Sequence, residues 1–305
     1  MSNKELSIDE IVARVTEKVA ERLKGAGVTM DRSGRDGACV ADKESCSSCG
    51  QCASKKSGLV GKMIDIGAAR ISGTTGIGGK GIDVKMASMI DHTLLKPDAT
   101  KDDLAKICKE AAQYNFATVC VNSVNIPFVA RQLKGSSVKP IAVVGFPLGA
   151  ASTHAKVCEA RDAISAGALE IDMVINLGAL KSKDYRTVYE DIKAVVEASK
   201  PYIVKVIIES ASLDHDEKVA ACVLSKSAGA AFVKTSTGFG PGGATVEDVA
   251  LMRKIVGSDM EVKASGGIRT REDAVAMVAA GADRIGASAS IAIVTGVNEK
   301  KGGKY

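Results

Sequence analysis

With 305 residues, 46% hydrophobic and 25% charged, the chain has ordinary globular composition and is long enough for one large domain or two smaller ones. Aromatics are 3% of residues with no Trp, and the net charge of +5 is scattered, which argues against base-stacking nucleic-acid modules while suiting an anionic small molecule. No apolar run approaches the roughly 20 residues of a membrane span, and no apolar signal core opens the chain, so neither a membrane anchor nor export is expected.

Residues 1–28 carry an amphipathic helix pattern over 6–24. Ser7 and Glu10 form a capping box, and Leu6 and Ile11 are spaced as a hydrophobic staple. Ile8, Ile11, Val12, Val15, Val19 and Leu23 fall on one face, and Gly25 and Gly27 end the element. Such a helix either packs on its own domain or docks on a partner. A short amphipathic helix on a linker weakly resembles the encapsulation peptides that send enzymes into bacterial microcompartments, which would make the partner a shell or cargo protein.

Residues 29–86 are rich in Cys and Gly. Cys39, Cys46, Cys49 and Cys52 stand in a small-residue setting, a spacing that suits soft-metal ligation. Zinc and an iron–sulfur cluster both remain open, since the fourth Cys lacks the following Pro of one iron–sulfur motif. An ion-free linker is the alternative. Gly76-Ile-Gly-Gly-Lys-Gly81 lacks the Gly-Lys-Ser/Thr ending and the strand-to-helix setting of a phosphate loop, so it reads as linker. The remaining cysteines, Cys108, Cys120, Cys158 and Cys222, sit among apolar residues as reduced thiols, and a cytoplasmic location is expected.

From residue 87 to 305 the pattern is regular. Strand-like segments at 88–94, 117–121, 139–144, 169–174, 202–208, 231–235, 261–264 and 283–285 alternate with helical patterns at 101–114, 154–166, 184–198, 214–228, 245–256 and 271–280. Ala-Gly-Ala recurs at the helix ends, at Gly167, Gly229 and Gly281. Eight alternations predict an α/β fold, a (β/α)8 TIM barrel, preceded by the helix and the irregular extension. A doubly wound open sheet is disfavoured because no dinucleotide fingerprint follows the first strand.

Charged residues interrupt these apolar strands. Asp172, Lys205, Lys234 and Lys263 each sit in a run otherwise fit for burial, and Asp91 lies on the first strand. Buried charges need partners or a cavity, so charges on several strands predict a shared polar interior. Desolvation and neighbouring cations lower a lysine pKa, and a neutral lysine amine is the nucleophile of Schiff-base chemistry. Lys234 is the candidate, since Thr235, Ser236, Thr237 and Gly238 follow it at the C-terminal end of its strand. The loops Ser265-Gly-Gly-Ile-Arg-Thr270 and Gly286-Ala-Ser-Ala-Ser290 follow the last two strands, where barrels bind phosphate.

Five segments together resemble the deoxyribose-phosphate aldolases: Ile90-Asp-His-Thr-Leu-Leu-Lys-Pro97, Glu170-Ile-Asp-Met-Val174, Val204-Lys-Val-Ile-Ile-Glu209, Phe232-Val-Lys-Thr-Ser-Thr-Gly-Phe239 and Val262-Lys-Ala-Ser-Gly-Gly-Ile-Arg269. The resemblance implies that Lys234 forms the Schiff base, that Lys263 lies beside it and lowers its pKa, and that Asp172 relays protons. It implies cleavage of 2-deoxyribose 5-phosphate, a phosphosugar, with no cofactor required for catalysis. Asp91, Lys205, Thr237 and Gly238 are expected at the substrate, as are Gly266, Gly267 and Ser288, and a homo-oligomer is expected. Many relatives carry Gly-Thr-Ser-Ser-Gly in the last loop. Here Ala287 and Ala289 remove two side-chain donors, which predicts a weaker phosphate hold or an altered substrate. A Schiff-base lyase for another aldehyde is therefore the alternative. A catalytically idle scaffold is disfavoured, because an idle site has no reason to keep buried charges.

Overall fold

The computed structural model describes Glu17 and residues 82–297. Within the expected N-terminal helix only Glu17 is described, and it is helical and exposed. Cys39, Cys46, Cys49 and Cys52 lie outside the described residues, as does the glycine-rich connector up to residue 81.

A short helix α1 (Val84–Ala87) precedes the first strand. The strands are β1 (Ile90–Leu94), β2 (Thr118–Asn122), β3 (Lys139–Val144), β4 (Glu170–Val174), β5 (Ile203–Ile207), β6 (Phe232–Lys234), β7 (Glu261–Ser265) and β8 (Arg284–Ala287). All neighbours pair in parallel, and β8 closes on β1, giving a closed eight-stranded barrel. Successive strand residues face opposite sides, so Glu170 and Asp172 share one face while Ile171 and Met173 share the other. Fully buried Ile171, Met173, Val206, Val233, Val262 and Ile285 supply the apolar packing.

Helices α2 (Lys101–Tyr114), α3 (Ile126–Gln132), α4 (Thr153–Ser165), α5 (Leu177–Lys181), α6 (Tyr185–Ser199), α7 (His215–Ser227), α8 (Val246–Val256), α9 (Arg271–Ala279) and α10 (Ser290–Thr295) alternate with the strands. Capping boxes start three of them, at Thr100 with Asp103, Asp214 with Glu217, and Thr270 with Asp273. The three repeated glycines, Gly167, Gly229 and Gly281, have φ of 112°, 86° and 111°, as a turn out of a helix into a strand requires. The sequence periodicity did not announce α3, α5 and α10, whose 7, 5 and 6 residues are too few to set a helical period.

Strand β6 is shorter than the expected 231–235. Thr235 N still donates to Lys263 O on β7 at 3.1 Å, and its hydroxyl extends the pairing: Oγ1 donates to Ser265 O at 2.9 Å and accepts from Ser265 N at 3.0 Å.

Outside the barrel interior, Lys156 on α4 is fully buried. Its Nζ donates to Asp191 Oδ2 on α6 at 2.6 Å and to Val174 O at the end of β4 at 3.0 Å. Thr153 Oγ1 donates to Asp191 Oδ1 at 2.8 Å. Removing one member of a buried pair strands a charge, whereas replacing both by apolar residues does not. Lys156→Met alone is expected to cost about 3–5 kcal/mol in urea unfolding, and Lys156→Met with Asp191→Leu to recover most of that loss.

Candidate active site

The interior charges converge on Asp172, in the middle of β4. Its Oδ1 accepts from Lys205 Nζ at 3.0 Å. Its Oδ2 accepts from both Lys234 Nζ at 2.9 Å and Lys263 Nζ at 2.7 Å. Strands β4, β5, β6 and β7 thus each send one charged side chain to a single carboxylate, all within 2% exposure. The adjacent register pairs Asp172 with Lys205 and Lys234 with Lys263.

A second tier completes the network. Lys205 Nζ also donates to Glu170 Oε2 at 2.5 Å. Lys263 Nζ forms an ion pair with Asp91 Oδ2 at 2.5 Å. Asp91 Oδ1 accepts from Thr118 Oγ1 at 2.7 Å and from Arg284, whose guanidinium also lies 3.6 Å from Glu170 Oε2. Three carboxylates, Asp91, Glu170 and Asp172, therefore face the interior cations Lys205, Lys234, Lys263 and Arg284, and Lys139 reaches Glu170 Oε1 from the exposed side at 3.5 Å.

Electrostatics distinguish two of these lysines. Burial pushes the Lys234 ammonium below the ordinary lysine value; Asp172 opposes this, and the Lys263 cation adds to it. Burial acts on Lys263 in the same direction, but Asp172 and Asp91 outweigh it and hold that ammonium above the ordinary range. Burial would raise Asp172, yet Lys205, Lys234 and Lys263 hold its carboxyl well below the usual range. Asp91 is held low in the same way, with Lys263 and Arg284 outweighing burial. The result is a poised amine beside a fixed ammonium and a fixed carboxylate, a set able to attack a carbonyl and move protons around it.

The loops after β6, β7 and β8 form the mouth. Gly238, Gly266 and Gly267 have φ of 87°, 85° and 79°, backbone that side-chain-bearing residues rarely adopt. Gly243 lets the β6 and β7 loops touch: a Cβ there would lie 2.3 Å from Gly266 O, and Ala244 N donates to that oxygen at 3.0 Å. Ser288 is exposed after β8. Ala287 is a buried strand residue whose carbonyl accepts from Ser290 Oγ at 2.9 Å. That hydroxyl lies 2.9 Å from His92 Nδ1, and His92 Nε2 lies 2.9 Å from Glu110 Oε2, so the last loop is stitched to β1 and α2.

The structure gathers Asp172, Lys205, Lys234 and Lys263 as expected, and it shows which neighbours hold Asp91, Lys205 and Thr237. Asp91 is fully buried on the second residue of β1 and engaged by Lys263, Arg284 and Thr118, so it holds cations in place. Lys205 is fully buried between Glu170 and Asp172. Thr237 turns its hydroxyl to Glu209 Oε2 at 2.5 Å. Glu170, Arg284 and Glu209 were missed. The signal for Glu170 was its place two residues before Asp172, which puts both on the same strand face. Among the described residues no cluster of His, Cys, Asp and Glu is arranged to hold a metal ion, and no helix is long and apolar enough to cross a membrane.

Comparison with known proteins agrees with this geometry. Residues 85–298 match the DeoC/LacD family aldolase model. The deoxyribose-phosphate aldolase of Clostridium novyi is 61% identical over 215 residues, covering 70% of this chain and 97% of that one. That of Thermotoga maritima is 59% identical over 221 residues, covering 72% and 88%. The solved tetrameric deoxyribose phosphate aldolase of Aeropyrum pernix superposes with a TM-score of 0.66 at 36% identity, covering 70% of this chain and 91% of that one. With a lysine-centred barrel interior and a family match over residues 85–298, the chain belongs to the DeoC/LacD family of aldolases.

Proposed function

We propose that this class I aldolase cleaves 2-deoxy-D-ribose 5-phosphate reversibly to D-glyceraldehyde 3-phosphate and acetaldehyde, through a Schiff base on Lys234. The observation that carries the reading is the sharing of Asp172 Oδ2 by Lys234, whose pKa is lowered, and Lys263, whose pKa is raised. The name carried by the relatives supports the substrate.

In this reading the neutral Lys234 Nζ adds to the C1 aldehyde carbon, and proton transfers expel water to leave an iminium. Asp172 takes the proton of the C3 hydroxyl. The C3–O bond becomes a carbonyl, and the C2–C3 electron pair moves into the iminium. Glyceraldehyde 3-phosphate leaves, and a neutral enamine remains on Lys234. Protonation at C2 restores the iminium, and water hydrolyses it to acetaldehyde and the free amine. Lys263 stays protonated, repels the Lys234 ammonium and keeps Asp172 ionised. Gly238, Gly266, Gly267 and Ser288 hold the phosphate through backbone amides and one hydroxyl.

The family match begins at residue 85, so the appendage stands outside it. For residues 1–28 the reading is a docking segment for a shell or cargo protein of a bacterial microcompartment. For Cys39, Cys46, Cys49 and Cys52 it is a zinc or iron–sulfur site. The enzyme is read as a cytoplasmic homo-oligomer; a tetrameric solved relative supports the assembly.

Lys234→Ala is expected to abolish turnover of 2-deoxyribose 5-phosphate and labelling by acetaldehyde with borohydride. A folded wild-type chain that is labelled but does not turn over that sugar phosphate would move the assignment to another aldehyde. The reacting form of Lys234 is neutral, so kcat/KM is expected to rise with pH through the Lys234 pKa and level off below the free-lysine value of about 10.4. Lys263→Met removes a repelling cation and is expected to move that rise to higher pH. Ser288→Ala is expected to raise KM for the phosphorylated sugar about tenfold, the scale of a lost hydrogen bond to a charged group, while leaving non-phosphorylated 2-deoxyribose unaffected.

A further inference from the structure

The barrel interior is not charged throughout. On the β1–β3 side Leu95, Cys120, Ile141 and Val143 form a buried apolar cluster, and Phe146 in the loop after β3 packs against it. The cluster borders the reacting groups: burial pushes the Cys120 thiol up to about 11, with the charges of Asp172, Lys263 and Lys234 acting on it as well. Phe239 comes from elsewhere, five positions beyond Lys234 in the loop after β6. The two rings meet edge to face, with centroids 5.3 Å apart and planes at 89°. Strands β4 and β5 lie between β3 and β6 in the closed order. The ring contact therefore spans the mouth on the side from which Asp172 and Lys205 project.

The position of Phe239 is built rather than incidental. Its backbone N–H donates to Thr237 Oγ1 at 3.1 Å. That hydroxyl donates to Glu209 Oε2 at 2.5 Å, and Thr237 N donates to the same oxygen at 3.2 Å. Glu209 is buried at the end of β5 with a left-handed φ of 53°, a conformation that costs energy for a residue with a side chain. A Cβ on Gly240 would lie 2.7 Å from the Glu209 carboxyl, so glycine leaves that carboxylate its room. Two strand ends thus cooperate to pin a ring that remains 42% exposed.

We infer that Phe146 and Phe239 form a two-ring gate over Lys234 that sets the length of the aldehyde the enamine accepts. The inference rests on the Schiff-base reading above. Pinned apolar rings at the mouth discriminate by volume, and one methylene in such a pocket is worth about tenfold or more in specificity.

The test uses the full chain with acetaldehyde as donor and a series of straight-chain acceptors from propanal to hexanal, after labelling of wild-type Lys234 by acetaldehyde with borohydride. Phe239→Ala is expected to raise the hexanal-to-propanal ratio of kcat/KM by about tenfold. Thr237→Val keeps both rings but loosens one of them, and is expected to raise the ratio by a smaller factor. Phe239→Leu replaces Phe239→Ala if thermal unfolding shows the latter to be misfolded. A labelled wild type with a ratio unchanged within about twofold in the folded Phe239 and Thr237 variants would overturn the gate. An unlabelled wild type would overturn the Schiff-base reading and the gate with it.

Discussion

Everything in the barrel interior depends on the carboxylate of Asp172. An ionised carboxylate offers about four acceptor positions, and here two oxygens serve three ammonium groups from three different strands. Burying three lysines without such a partner would cost far more than the packing returns. The same interaction fixes the sheet. A one-residue slip of β4 would turn Asp172 toward the helices and bring Ile171 inside, leaving Lys205, Lys234 and Lys263 without their common anion. Fold and chemistry are in this sense one constraint, since the register that closes the barrel is also the register that brings Lys205, Lys234 and Lys263 onto one carboxylate.

Much of this was legible in the chain. Charged residues in otherwise apolar strands named the interior, and the repeated Ala-Gly-Ala named the helix exits, because both depend on local pattern. What escaped depends on contacts between distant segments. Arg284 stands beside Asp283 at the start of a strand, where charge usually means solvent, yet it turns inward to Asp91. Glu209 lies in a loop, and nothing local says that its carboxylate will reach Thr237. The ion-pair partners of Asp91 and Lys205 were not legible either, since sequence reveals that a strand residue is interior but not how deep along the axis its partners sit.

The last loop illustrates the same limit. Judged by side-chain donors alone, Ala287 and Ala289 look like losses. In the fold Ala287 belongs to β8 and is fully buried, and what holds the loop is the path from Glu110 through His92 to Ser290. A loop whose shape is set by β1 and α2 keeps its backbone amides in place without hydroxyls at those two positions. The substrate end of the barrel is thus assembled from pieces far apart in sequence, while its chemical centre is read from four strands directly.

The clustering of cations in the interior has a consequence for the direction of electron flow. In the proposed cycle an iminium on Lys234 places a fixed positive charge beside the buried cations Lys205 and Lys263, in a buried space where charge is weakly screened. In the proposed cycle, bond cleavage is the step that discharges it, because the electron pair of C2–C3 converts the cation to a neutral enamine. The protein thus makes the electron-poor intermediate a state of electrostatic tension and the cleaved state one of rest. In that cycle the cations packed around Lys234 bias the substrate's C2–C3 bond toward cleavage.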